Sequence, residues 1–204
     1  MTLQTGTDKA AEPLRRLNAV LALREIPDYQ AALEQLSKAQ ELDPKNPDVH
    51  ILFGLTYQDL DQLDKAEEHF RHAIGLDADY TAAREALAGL LNSRFRHEET
   101  VRLLESFIIH LPEQPALWYH YGFAVTYLDE EDKFQTALEL AQQIESPAAP
   151  KIVAHLFAGK AEALFEHMHS QQALDALEEA LELEPRKADF LQLQQKLLRE
   201  LNRY

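Results

Sequence analysis

The chain has 204 residues and no cysteine, which excludes a disulfide framework, thiolate metal sites, iron–sulfur ligation and a cysteine nucleophile. Twenty Lys+Arg against 35 Asp+Glu give a formal net charge of −15, so a nucleic-acid backbone is not an expected partner. Only six glycines and nine prolines, in a chain dominated by Ala, Leu, Glu and Gln, argue for helices over sheets or phosphate-cradling loops.

The opening residues, MTLQTGTDKAAEP, do not join a cationic patch to an apolar run, so no secretory signal is expected. Residues 1–12 read as a flexible extension. Apolar runs such as Phe107-Ile108-Ile109 are far too short for a membrane span, and a cytoplasmic location is the expectation.

From residue 13 the chain repeats with a period of 34: residues 27–46 lie over 61–80 and over 95–114. Small or apolar residues recur in register, as Ala32, Ala66 and Thr100, as Leu36, Phe70 and Leu104, and as Ala39, Ala73, Phe107 and Ala141. Each period reads as two amphipathic helices around a short polar turn such as Asp59–Asp64. Pro47 and Pro115 suit first helical turns. Pro112 to Pro185 is two periods plus five residues, and Ala141 to Ala180 is 39 residues rather than 34. A five-residue insertion therefore lies between Ala141 and Ala161, and SPAAPKIV (146–153) is its expected place, as an irregular join.

Trp118, Tyr121 and Gly122 in a first helix, with Phe53, Gly54 and Tyr57 two periods earlier, resemble the first half of the tetratricopeptide repeat. Ala66, Phe70 and Ala73, and then Ala173, Leu177, Ala180 and Pro185, resemble its second half. Arg16, Val20, Thr100, Phe107 and Phe134 depart from that pattern. The resemblance implies an all-α, right-handed α-solenoid of about five helix–turn–helix repeats, near 13–46, 47–80, 81–114, 115–148 and 154–187. Residues 188–204 would form the C-terminal capping helix. The physical ground for stacking is burial, since one helix pair cannot cover its own apolar stripe.

In such arrays the first helices line a concave groove. Here they are apolar on a second face as well, which is more than neighbouring repeats require. The candidate groove residues are Leu17, Leu21, Ile51, Leu52, Leu55, Tyr119, His120, Phe123, Tyr127 and Phe165, with His120 as a pH-sensitive contact. The partner is expected to be a protein or peptide carrying an apolar face and some basic residues, because residues 47–80 alone hold eight acids and two bases. The alternatives are that residues 1–12 fill the groove, or that the chain homodimerises through it. A scaffold, adaptor or assembly factor is the expected role, with a client-specific chaperone or a regulatory subunit as alternatives. The family's basic carboxylate clamp is not matched, since Leu17, Leu21, Leu52, Ala82 and Ala86 stand at its places.

No metal, cofactor or catalytic site is expected. His69 and His72 are spaced i, i+3 without a third ligand fixed by spacing, and His97-Glu98-Glu99-Thr100-Val101 breaks the zinc-helix pattern. Asp129–Asp132 reads as a solvated turn with no apolar pocket to separate carboxylate pKa values.

Overall fold

The structure is a computed structural model that describes residues 28–110 and 112–201. These form ten α-helices with no strand among them: α1 (Tyr29–Leu42), α2 (Pro47–Asp59), α3 (Leu63–Leu76), α4 (Thr81–Ser93), α5 (His97–His110), α6 (Pro115–Tyr127), α7 (Glu131–Gln142), α8 (Ala149–Glu166), α9 (Ser170–Leu183) and α10 (Ala188–Leu201). The chain divides into two compact units, one up to Leu87 and one from Ala88 onward.

Helix starts follow local chemistry. The Asp28 carboxylate accepts from the Ala31 amide at 3.1 Å, and the Asn46 side chain accepts from the Asp48 amide at 2.9 Å with Pro47 in the first turn. Between first and second helices the backbone repeats itself. Asp61, Phe95, Asp129 and Met168 all adopt the left-handed region, with φ of 57°, 58°, 58° and 63°. The following residue each time closes a bond to the carbonyl five residues back, at 2.8–2.9 Å, from Gln62 to Tyr57, Arg96 to Leu91, Glu130 to Val125 and His169 to Leu164. That is the Schellman closure of a helix end. The spacing of the four residues, 34, 34 and 39, carries the sequence period and its insertion into the backbone.

Aspartate tolerates this conformation, but Phe95 and Met168 adopt it while 67% and 71% exposed. Met168→Gly is expected to relieve backbone strain and stabilise the second unit by about 0.5–1 kcal/mol, after allowing for the glycine's extra unfolded-state entropy. A thermal melt checks this, and an unchanged or lower midpoint would contradict it.

Packing follows the register. Ala32, Ala66, Thr100, Phe134 and Ala173 occupy equivalent places on the second helices, and all are fully buried. Those helices bury one stripe, such as Ala66, Phe70 and Ala73 on α3 or Phe134, Ala137 and Ala141 on α7. First helices bury more of their circumference, as in α6, where Leu117, Trp118 and Tyr121 to Thr126 are buried. In the second unit α6 and α8 approach through reciprocal glycines. A Cβ on Gly122 would lie 2.5 Å from the Leu156 carbonyl oxygen, and one on Gly159 would meet the Tyr119 carbonyl and lie 2.8 Å from the Phe123 nitrogen. Trp118 anchors this core and donates its indole N–H to the Pro112 carbonyl at 2.7 Å.

The join expected over 146–153 is shorter than the sequence suggests. Helix α8 already begins at Ala149 and runs 18 residues, against 13 in each of α2, α4 and α6, so the five extra residues extend its N-terminal end. Pro150 is tolerated there because a first-turn N–H has no intrahelical acceptor to lose. Helix α10 buries Phe190 and Leu197 but leaves Leu191 and Leu198 37% and 42% exposed, so its outer face is not wholly polar.

Candidate functional site

In the first unit, Ile51 and Leu52 are buried and Leu55 is half-buried, so α2 offers little free apolar surface at these positions. Leu17 and Leu21 lie outside the described residues. The hairpin of α2 and α3 instead builds a ring cluster. The His50 ring stacks on His72 at 4.0 Å and on His69 at 5.3 Å, and His69 stacks on Phe53 at 4.7 Å and on Tyr57 at 5.4 Å. The Nδ1 atoms of His50 and His69 are 3.1 Å apart, so one ring donates and the other accepts, which requires a neutral acceptor.

Sequence spacing finds the His69/His72 pair but misses His50, which comes from the other helix of the hairpin. The rings stack rather than converge, and no group of three potential ligands among the described residues is arranged to hold a metal ion.

Burial, followed by repulsion from His72, lowers the pKa of His50 to about 4, and the same causes lower that of His69 to about 4. In the unfolded chain both return to about 6.5, so the unfolded state binds more protons between pH 4 and 6.5. Their contribution to stability is therefore complete above about pH 6.5 and is lost as pH falls towards 4. The loss is expected to be about 2 kcal/mol for the pair after discounting for solvent screening. Urea midpoints at pH 7 and pH 5 check this. His69→Phe should flatten the dependence, and an unchanged slope would contradict the assignment.

In the second unit the structure brings the expected residues partly together. Tyr119 and Phe165 are both half-buried and pack against the cluster formed by α8, α9 and α10. Phe123 is buried and stacks with half-buried Tyr127 at 5.9 Å. From Tyr127 a ladder of rings continues to His97 at 4.0 Å and to His167 at 4.3 Å, and Phe95 meets Tyr127 at 6.1 Å. The ladder joins three repeats near the turns that follow α4, α6 and α8. The sequence shows it only as scattered aromatics and histidines near successive helix turns.

Burial lowers the pKa of His120 to about 4, which favours its neutral form in the physiological range. A Cβ on Gly89 would stand 3.3 Å from its ring, and its carbonyl accepts the Asn92 amide at 3.1 Å.

Residues 28–90 match the tetratricopeptide repeat family model. Over that stretch the chain carries tetratricopeptide repeats. No curated protein sequence matches it. Among solved structures, the chain is similar to a thermophilic tetratricopeptide-repeat protein of Thermus thermophilus, with TM-score 0.62 and 19% identity over 91% of this chain and 98% of that one. It is also similar to PilW, described as a widely conserved type IV pilus biogenesis factor, with TM-score 0.62 and 20% identity over 93% and 86% of the two chains. A third is YrrB, described as having an unusual peptide-binding site, with TM-score 0.55 and 17% identity over 93% and 98%. At these identities the likeness is one of fold, the all-α solenoid of helix hairpins. Among the described residues, no helix is long and apolar enough to cross a membrane.

Proposed function

We propose that this protein is a cytoplasmic interaction scaffold or adaptor that captures an apolar or amphipathic helical peptide on the first-helix faces of its second unit. One observation carries the reading: Tyr119, Tyr127 and Phe165 remain half-buried after every described neighbour has packed against α6 and α8. Large aromatic groups with a wet edge and a packed base are suited to a partner's apolar side chains at i, i+3 and i+7. Binding proceeds by shape and apolar burial, and the protein's net charge of −15 favours a partner with basic residues. The peptide-binding site attributed to YrrB supports the same use of the fold. A second reading, an assembly factor or client-specific chaperone, is favoured by the likeness to PilW, a pilus biogenesis factor.

A displayed library of random helical peptides, selected on the full chain, tests the reading. Phe123 is buried, so replacing it would confound binding with folding, and Tyr119→Ser with Phe165→Ser is the cleaner probe. Enriched peptides should carry an apolar i, i+3, i+7 stripe and lose about tenfold or more in affinity to the double variant, with helical circular dichroism unchanged. Equal affinity for wild type and variant would refute it.

A further inference from the structure

A second surface of the same unit has the form of a docking groove. Helix α8 is apolar on two sides, and the side turned away from Ala158, Glu162 and Phe165, about 150° round the helix, is left open between α7 and α9. Ala149, Val153, Phe157, Lys160, Leu164 and His167 line its floor at successive i+3 and i+4 steps. The stripe runs nearly the whole 18-residue helix, about 27 Å at 1.5 Å per residue. Two cavities of about 760 and 410 Å³ share Phe157 and Glu179 and so form one trough. That length and an open top suit a rod, not a compact small molecule.

Its walls fix the charge of the occupant. Asp175, Glu179 and Glu182 stand at successive turns of α9, and none meets a lysine or arginine among the described residues. At one end lie Asp129 and Glu131. Lys160 is the one lysine or arginine lining the two cavities, and the Glu131 carboxylate already holds it at 2.8 and 3.0 Å while it lies 4.1 Å above the Phe134 ring. The floor is mostly apolar and the rims are acidic, so an acidic helix would meet like charge and a neutral one would leave these carboxylates without a counter-charge.

We infer that the trough over α8, walled by α7 and α9, docks a partner helix whose apolar stripe is flanked by lysines and arginines. Tyr119 and Phe165 line neither cavity, so this inference does not depend on them, although the two surfaces adjoin where His167 meets Tyr127 at 4.3 Å.

The test titrates the full chain into a fluorescently labelled synthetic helix of about 18 residues, with a leucine stripe and lysine flanks, at about 50 mM salt. Glu179→Lys with Glu182→Lys should weaken binding by about tenfold or more. Glu34→Lys with Glu41→Lys, on α1 of the other unit, makes the same change in net charge and should weaken it by about twofold or less. Leu183→Asp, at an exposed apolar position on the trough wall, should also weaken it several-fold. Tyr119→Ser with Phe165→Ser should leave it within about twofold. Equal losses from the two charge-reversed pairs would overturn the inference by reducing the effect to net charge. Loss of binding in the Tyr119/Phe165 variant would also overturn it, by placing the probe on the other face. So would a wild-type dimer, seen by sedimentation, that Glu179→Lys with Glu182→Lys dissociates, because the occupant would then be a second copy.

Discussion

Gly159→Ala is expected to destabilise the second unit by about 3 kcal/mol or more, enough to lower its melting midpoint by about 10 °C. Helix propensity alone points the other way, because alanine in a helix interior is favoured over glycine by about 1 kcal/mol. Sterics decide the sign. The new methyl would meet the Tyr119 carbonyl group and the Phe123 nitrogen, which are backbone atoms of α6 and cannot rotate aside. Relief requires α6 and α8 to separate, and that opens the reciprocal contact of Gly122 with Leu156 as well. Both helices belong to the apolar core around Trp118, so the cost spreads through the unit. Gly75 provides the control: a Cβ there meets nothing within 4 Å, so Gly75→Ala should be neutral or stabilising by up to about 1 kcal/mol. Thermal melts of the two variants compare them directly. Equal midpoints would mean that α6 and α8 do not approach as closely as described.

Trp118→Ala is expected to cost about 3–5 kcal/mol. The side chain is the largest of the fully buried groups and sits among Leu104, Leu117, Phe134, Ile152 and others in one core. Its removal leaves a cavity and takes the donor from the Pro112 carbonyl at 2.7 Å. Trp118→Phe keeps most of the volume and loses the hydrogen bond, so about 1–2 kcal/mol is expected for it. Chemical denaturation followed by circular dichroism gives both values, since Trp118 is the chain's single tryptophan and its fluorescence is lost with it. Similar costs for the two variants would show that the hydrogen bond, not packing, dominates.

The repeat was legible because its period is written in residues whose size matters. Ala32, Ala66 and Ala173 must be small where helices touch, and Leu36, Phe70, Leu104 and Leu177 must fill the space between them. Those demands recur in most hairpins, with Thr100 and Phe134 the larger occupants of the small position, so sequence register and structural register coincide. The length of the insertion was legible for the same reason, but its form was not, because a proline-rich stretch reads as a break even where Pro150 sits in a helical first turn. The free surface was harder to read. Apolar spacing identifies a second face on a first helix without saying what covers it, and Ile51, Leu52 and Phe123 are covered within the protein. The histidine cluster of α2 and α3 and the trough over α8 each need two or three helices at once, and no spacing along a single helix reveals either.

Hydrogen–deuterium exchange of the full chain, with and without a peptide selected from the helical library, is the most direct measurement. Slowed exchange is expected along 119–127 of α6 and 158–165 of α8, and it should disappear in the Tyr119→Ser, Phe165→Ser variant. A selected peptide that protects neither segment, or protects them equally in the variant, would contradict capture of a helix on these first-helix faces.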